Sequence, residues 1–243
     1  MNEQMIPKTI HYCWFGRGEI PELAKNCIDS WHKCMPNWEY KLWNEDNFDV
    51  NIVPYTQEAY EAKKYAFVSD YVRLWALERE GGVYLDTDVM VFKPFDDLLV
   101  YDAFAGFEGS KTLPLGTCIM ASKAHGNWAQ EQIGYYCDRH FIDKDGKQDL
   151  TTNVQFITSK MKESGFVQDG QEQDYLDLHI FPIEYFCPRQ TTGEYFRTEN
   201  TYCDHLGIGS WSDKSNDWKS KVGWLVGQKN MTRLIKLKRK LIG

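Results

Sequence analysis

Two carboxylates stand two residues apart inside an apolar segment of this 243-residue chain. The segment covers residues 81–92 and reads GGVYLDTDVMVF. Alternate residues of a strand point to the same side, so Asp86 and Asp88 are expected to converge on one small object. Burying ionised carboxylates is costly unless a cation or a donor meets them. The spacing therefore predicts a divalent ion, Mg²⁺ or Mn²⁺, together with phosphate oxygens, rather than two solvated carboxylates at a strand end.

A second charged pair precedes this segment. Asp70 and Arg73 are three residues apart, so they share one face of the helix that is expected there. As an exposed pair they would form an ion pair worth well under about 1 kcal/mol. Their place directly before the acidic segment favours a role in the same site, in which Asp70 accepts hydrogen bonds and Arg73 offers its guanidinium to oxygen atoms.

An aromatic segment near the N-terminus could supply a third part of the site. Residues 11–16, HYCWFG, are predicted to end the first strand at a glycine turn. Open α/β proteins bind nucleotides at the carboxyl edge of the sheet, where exposed rings suit base stacking. Taken alone, the segment is better explained as an ordinary core strand.

The elements that must position these residues indicate an α/β domain that begins strand, helix, strand. A single long helix is predicted at 56–80, ended by Gly81 and Gly82, and the acidic strand follows at 82–92. The remaining predicted elements are strands at 8–16, 38–43, 104–107, 117–121 and 179–185, helices at 21–33, 127–141 and 150–164, and a helical turn at 95–99.

Composition and charge exclude several classes of protein. The chain is 42% hydrophobic and 15% aromatic, which fits one large globular domain. Its seven cysteines include no CxxC pair, which favours reduced thiols over a disulfide framework or a zinc knuckle. The N-terminus lacks a secretory signal, and no apolar segment approaches the roughly 18 residues of a membrane span. The chain is therefore expected to be cytoplasmic.

The net charge of −7 is unevenly distributed. Only basic charges follow Asp217, so the preceding part is acidic and is not expected to bind nucleic acid. Residues 229–243 interleave apolar and basic side chains. Such a helix either packs on the acidic body or lies peripherally on an anionic membrane surface.

The three motifs together resemble a known family. They are IPK-x-IH-x-x-W-x-G at 6–16, A-x-x-SD-x-x-R at 66–73 and GG-x-YLD-x-D at 81–88. This joint spacing is similar to glycosyltransferases with the DxD sugar-binding region, the family-32 type, which includes yeast initiating mannosyltransferases, bacterial capsular polysaccharide glycosyltransferases and clostridial glucosylating toxins. The resemblance implies a GT-A fold, a single Rossmann-like mixed sheet flanked by helices, over residues 1–228, with a basic C-terminal helix at 229–243.

The resemblance also implies roles for individual residues. Asp70, Arg73 and Asp86 would be catalytic, and the metal ligands would be Asp86, Asp88 and His205, although His205 alone is equally well explained as a structural histidine. Trp14 would stack on the base, and Ser210 and Trp211 would close over the diphosphate. The full set expected to bind the nucleotide sugar is His11, Cys13, Trp14, Ser69, Asp70, Arg73, Tyr84, Asp86, Thr87, Asn153, Ser210 and Trp211.

The implied reaction is metal-dependent, retaining transfer of a hexose. The donor would be a UDP-sugar carrying galactose, glucose or N-acetylhexosamine, and the ion Mn²⁺ or Mg²⁺. The acceptor would be a surface glycan or a lipid-linked oligosaccharide, as in capsular polysaccharide biosynthesis, with peripheral contact to the inner face of the membrane through residues 229–243. No carboxylate is assignable as a covalent nucleophile, so attack from the leaving-group face is expected.

Two alternatives remain open. A haloacid-type phosphatase would use Asp86 as a phosphoryl nucleophile, although Met90 stands where such enzymes usually have Thr or Val. The other is a non-catalytic protein that binds nucleotide sugars or glycans.

Overall fold

The computed structural model describes residues 5–109, 114–189 and 195–207. One compact unit ends at Leu206. The helices are α1 (Glu22–Cys34), α2 (Pro54–Glu61), α3 (Tyr65–Glu80), α4 (Asn127–Gly134) and α5 (Asn153–Glu163). The strands are β1 (Thr9–Cys13), β2 (Glu39–Trp43), β3 (Gly82–Leu85), β4 (Val89–Val91), β5 (Ala103–Phe107), β6 (Leu115–Ser122), β7 (Gln173–Tyr175), β8 (Leu178–Phe181) and β9 (Cys203–His205). None of the helices in these ranges combines the length and the apolar character that a membrane span requires.

The main sheet has seven strands in the order β2-β1-β3-β6-β5-β8-β7. Strand β1 runs parallel to β2 and β3, whereas β6 is antiparallel to both β3 and β5. Strand β8 is parallel to β5, and β7 closes the edge antiparallel to β8. The predicted β-α-β start and the mixed α/β sheet are therefore confirmed.

The acidic segment is not one strand. Strand β3 ends at Leu85, and β4 leaves the main sheet to pair with β9 in a separate two-stranded ribbon. Between them residues 86–89 make a tight turn, which we call the acidic turn. In it the amide of Val89 donates to the carbonyl of Asp86 at 3.0 Å. The prediction of a continuous strand at 82–92 was wrong, because the apolar residues after the turn pair with a distant segment. The two carboxylates thus converge across a turn and not by strand alternation.

Other boundaries also differ from the sequence predictions. The helix predicted at 56–80 is two helices, because Lys63 adopts a left-handed φ of 58° that breaks the hydrogen-bond ladder without a Gly or Pro to mark it. The helix predicted at 127–141 ends at Gly134. The strand predicted at 179–185 ends at Phe181, because Pro182 cannot donate to the ladder and a 3₁₀ turn follows.

Helix α1 supports β4 from the side opposite β9. The indole of Trp31, which is fully buried, donates to the carbonyl of Val89 at 2.7 Å. The amide of Val91 donates to the hydroxyl of Ser30 at 2.9 Å. The short strand is therefore held along one edge by backbone pairing and along the other by two side chains of a helix.

His11 ties the first three strands together. Its ring is fully buried, Nε2 lies 2.8 Å from the carbonyl of Gly81, and Nδ1 accepts from the indole of Trp43 at 3.1 Å. A Cβ on Gly82 would come within 2.9 Å of Nε2, and Gly82 has a φ of +110°, so glycine is required beside the ring. His11 has no ring nitrogen left for a ligand, and its geometry supports a structural role instead of the expected nucleotide contact.

Replacing His11 tests this role. We expect His11→Ala to lower the free energy of unfolding by about 2–4 kcal/mol, because it opens a cavity and leaves the Trp43 indole and the Gly81 carbonyl unpaired. Urea unfolding followed by circular dichroism measures the loss. The control is His125→Asn at an exposed position with a φ of 59° that Asn tolerates, which should change stability by less than about 0.5 kcal/mol. Equal effects of the two substitutions would contradict the structural role.

Candidate active site

A buried arginine lies at the centre of the site. Arg73 on α3 is 5% exposed, and its guanidinium reaches four oxygens at once, of which one is the carbonyl of Ser69 at 3.3 Å from Nε. Nη1 donates to the carbonyl of Thr117 at 2.7 Å and lies 3.3 Å from Oδ1 of Asp86, while Nη2 lies 3.0 Å from Oδ1 of Asp70. The helix carrying Asp70 and the turn carrying Asp86 are thereby fixed to each other through one cation.

Tyr84 supports the first acidic residue from the strand side. Its hydroxyl donates to Oδ1 of Asp86 at 2.9 Å, and Arg73 stacks over its ring at 4.6 Å. The backbone amide of Asp86 donates to the carbonyl of Cys118 on β6 at 2.8 Å. The hydroxyl of Tyr84 and Nη1 of Arg73 both contact Oδ1 of Asp86, so neither uses Oδ2.

The ribbon of β4 and β9 delivers a histidine to the acidic turn. In its register His205 is opposite Val89, the residue after Asp88. Nε2 of His205 lies 3.4 Å from Oδ1 of Asp88. One ligand atom each from Asp86, Asp88 and His205 lies within 4.8 Å of the others. Two carboxylates and an imidazole suit Mn²⁺ or Mg²⁺, so these residues fit the implied ion.

The charges around Asp86, Asp88 and His205, which we call the metal corner, favour a cation. Burial raises the pKa of Asp86, Arg73 opposes that rise, and the neighbouring Asp88 adds to it. Burial by itself lowers the pKa of His205, but the adjacent Cys118 and Asp88 outweigh burial and raise that pKa well above 6.5. The contact with Asp88 therefore favours the protonated imidazole when no metal is bound. A divalent ion would replace that proton, which makes metal affinity fall as the pH is lowered.

Asp70 is buried behind the metal corner. It is 8% exposed, and burial raises its pKa from 3.8 to about 6 against the opposing effect of Arg73. Asn153 opens α5 and approaches the backbone carbonyl of Asp70 at 3.4 Å, and its Oδ1 accepts from the hydroxyl of Tyr136 at 3.2 Å. Asn153 thus contacts the backbone of α3 at Asp70.

The residues expected to bind the nucleotide lie at the ends of β1 and α3. Trp14 follows β1, and its indole donates to the carbonyl of Gly18 at 2.7 Å. Cys13 is buried, and burial raises the pKa of its thiol to about 12, so the thiol is neutral. The hydroxyl of Ser69 donates to the carbonyl of Tyr65 at 3.2 Å. Thr87 occupies the middle of the acidic turn and is half-buried.

The structure brings together most of the residues that the sequence singled out. Ser210 and Trp211 lie outside the described residues, and so does the predicted domain boundary at 228 and 229. Sequence reasoning missed two contributors. Thr117 orients Arg73 through its carbonyl, and Glu108 lies 3.9 Å from Nδ1 of His205 through Oε2. Both contacts join segments far apart in the chain, so no local spacing could have indicated them.

The mixed α/β sheet thus carries acidic residues after one of its central strands, and the two-stranded ribbon brings a histidine to them. Residues 21–105 match the family described as glycosyltransferase sugar-binding region containing DXD motif. This segment is therefore similar to that family, and the resemblance seen in the sequence is confirmed.

Individual relatives agree with this assignment. Inositol phosphoceramide mannosyltransferase 3 of Schizosaccharomyces pombe is 36% identical over 107 residues, which are 41% of this chain and 29% of the relative. Subversion of eukaryotic traffic protein A of Legionella pneumophila is 26% identical over 230 residues, with 73% of this chain and 35% of the relative covered. The chain therefore spans about a third of the length of these relatives.

A solved structure supports the fold. The PaToxG glycosyltransferase superposes with a TM-score of 0.51 at 17% identity, covering 67% of this chain and 71% of that one. The likeness confirms the GT-A fold that the sequence predicted.

The raised pKa of Asp70 predicts a pH-dependent stability. The folded protein binds this proton more tightly than the unfolded chain, so the contribution is full below pH 3.8 and is lost as the pH rises through about 6. The unfolding free energy of Asp70→Asn minus that of the native sequence should therefore rise by about 1–2 kcal/mol as the pH is raised from about 5 to about 8.

Urea unfolding of both proteins across this range measures the difference. Asp138→Asn, at an exposed carboxylate, serves as the control and should show no such trend. A difference between Asp70→Asn and the native sequence that does not change with pH would contradict the raised pKa.

Proposed function

We propose that this protein is a metal-dependent, retaining hexosyltransferase that uses a UDP-sugar donor. The observation that carries the proposal is the convergence of Asp86, Asp88 and His205 within 4.8 Å at the end of β3. The match of residues 21–105 to the DXD family and the GT-A fold support it. The S. pombe relative is named a mannosyltransferase, so mannose belongs among the candidate donor sugars together with galactose, glucose and N-acetylhexosamine.

Asp86, Asp88 and Nε2 of His205 would hold Mn²⁺ or Mg²⁺. When bound, such an ion neutralises the negative charge that develops on the diphosphate leaving group. The residues of the chain set the position of this corner. Tyr84 and Arg73 both contact Oδ1 of Asp86, which leaves Oδ2 as the oxygen that can face the ion.

Arg73 acts in this proposal through the carboxylates and not as a clamp on the substrate. Its guanidinium is buried and already contacts Thr117, Asp70 and Asp86. Asp70 would accept hydrogen bonds from hydroxyls of the donor sugar, for which it must be ionised. Because its pKa is about 6, this acceptor is present at neutral pH and is lost in mild acid.

The nucleotide would extend from the metal corner toward the end of β1. Trp14 would stack on the base, with Cys13 and Ser69 lining the pocket. Ser210 and Trp211 would cover the diphosphate. The acceptor hydroxyl would attack the oxocarbenium-like sugar from the leaving-group face, which retains the anomeric configuration.

A donor screen tests the function. Purified protein with Mn²⁺ is incubated with UDP-glucose, UDP-galactose, UDP-N-acetylglucosamine and GDP-mannose, and the free nucleotide is measured with and without an oligosaccharide acceptor. We expect one or two UDP-hexoses to turn over. Asp88→Ala should reduce the rate at least about 100-fold, because a ligand to the charge-neutralising ion is lost, whereas Asp138→Ala should leave it unchanged.

The alternatives give different results in the same screen. A phosphatase would release orthophosphate from a generic phosphoester regardless of the sugar. A binding protein would bind the nucleotide sugar in calorimetry without turnover. Either result would refute the transferase.

The acceptor is proposed to be a surface glycan or a lipid-linked oligosaccharide, reached by peripheral membrane contact through residues 229–243. We expect the full chain to float with anionic phosphatidylglycerol vesicles and a chain ending at residue 228 to stay behind. Neutral phosphatidylcholine vesicles are the control. Equal flotation of the two chains would refute the membrane contact.

A further inference from the structure

A second cluster of metal-ligating side chains lies behind the acidic turn. We call it the inner quartet: Glu108, Cys118, Cys187 and His205. One ligand atom from each lies within 4.8 Å of the others. Glu108 directly follows β5, Cys118 is in the middle of β6, Cys187 follows a 3₁₀ turn, and His205 ends β9. Four segments that are distant in the chain therefore bring two sulfurs, one oxygen and one nitrogen together.

The two cysteines of the quartet are buried and adjacent. Cys118 is 1% exposed and Cys187 is 4% exposed. Their sulfur atoms are 3.3 Å apart. In a tetrahedral zinc site with Zn–S bonds of about 2.3 Å, two sulfur ligands are about 3.8 Å apart. The two sulfur atoms would therefore need to separate by only about 0.5 Å to hold one such ion.

The buried carboxylate of Glu108 favours a cation in this cluster. Its Oε2 is occluded from solvent and has no hydrogen-bond partner among the described residues. A carboxylate oxygen in this condition is costly unless a cation or donor meets it. The backbone makes room for the side chain, because a Cβ on Gly116 would lie 3.3 Å from Cβ and 3.4 Å from Oε2 of Glu108.

His205 contributes a different nitrogen to each cluster. Nε2 faces Asp88 at 3.4 Å, whereas Nδ1 faces Oε2 of Glu108 at 3.9 Å. The outer set of Asp86, Asp88 and His205 offers two hard carboxylate ligands beside the imidazole nitrogen and suits Mn²⁺ or Mg²⁺. The quartet has two thiols, which select a softer ion such as zinc. The two clusters thus differ in chemistry although they share one ring.

We propose that the inner quartet is a binding site for Zn²⁺, with Cys118, Cys187, Glu108 and Nδ1 of His205 as its four ligands. The ion would link β5, β6 and β9 and would satisfy the buried oxygen of Glu108. Both thiols lose their protons to solvent when the ion binds. The proposal does not depend on the proposed function, because three of the four ligands are absent from the outer set. A neutral His205 ligates one ion at a time, so with zinc on Nδ1 its Nε2–H would donate to Asp88, and Asp86 and Asp88 would hold the outer ion.

Cobalt titration tests the site directly. The full chain is purified with a non-thiol reductant, stripped of metal, and titrated with Co²⁺ as a spectroscopic probe. We expect one equivalent to bind with a thiolate-to-cobalt charge-transfer band in the near ultraviolet and visible bands of tetrahedral cobalt. Zn²⁺ should displace it, and native mass spectrometry should show one zinc per chain.

Matched variants separate this site from other metal binding. Cys118→Ser and Cys187→Ser should each weaken zinc binding by at least about 100-fold, because the loss of a direct ligand costs no less than the loss of an outer contact. Cys27→Ser, at another buried cysteine, and Cys137→Ser, at an exposed one, should bind like the native chain. Circular dichroism of each variant checks that it folds.

The outer site provides the last control. Asp88→Ala should keep the zinc and the charge-transfer band even if it abolishes Mn²⁺-dependent nucleotide turnover, so the two proposals can fail separately. Binding without a thiolate band, equal loss in Cys27→Ser, or no uptake of Co²⁺ because Cys118 and Cys187 form a disulfide under reductant would each overturn the zinc site.

Discussion

The guanidinium of Arg73 fixes α3, the acidic turn and β6 relative to one another. It is buried and lies between the carboxylates of Asp70 and Asp86, against the ring of Tyr84, with the carbonyl of Thr117 as a further acceptor. A buried ion pair of this kind adds little net stability, but the loss of one partner typically costs about 3–5 kcal/mol. The arrangement therefore serves position more than stability, because it fixes the acidic turn relative to α3.

His205 lies where the two clusters of polar side chains meet. One ring nitrogen faces the acidic turn and the other faces Glu108 and the thiols. A neutral imidazole has one protonated nitrogen and one lone pair, so it can ligate one ion and donate to one acceptor at the same time. An ion on one side of the ring therefore decides what the other side can offer.

The sequence predicted those parts of the site that lie within single elements. Asp70 and Arg73 share a helix face, and Asp86 and Asp88 are near neighbours, so their spacing alone indicated a common purpose. The start of the fold was also readable, because alternating and helical periodicities are local. What could not be read is the path of the chain after Asp88, since the apolar residues of β4 fit a continued strand equally well.

The parts of the fold and of the site that the sequence did not predict depend on pairing between strands that are distant in the chain. Strand β9 has only three residues and carries no strong periodic signal, yet its register brings His205 to the turn. Lys63 has a left-handed backbone conformation and divides the predicted long helix, but no neighbouring glycine or proline indicates this break in the sequence. Nothing in the sequence indicated that Glu108 and the two thiols lie together, because each belongs to a segment with the pattern of an ordinary core strand or loop.

The support that α1 gives to β4 has a consequence for residues far from any ligand. Trp31 and Ser30 bond to the strand that directly follows the carboxylates, so they hold the turn in place from behind. A change in this helix alters the anchor of the turn without removing any side chain of the candidate site. Natural variation at Trp31 and Ser30 should therefore be constrained as tightly as at the positions of the candidate site, although neither residue belongs to it.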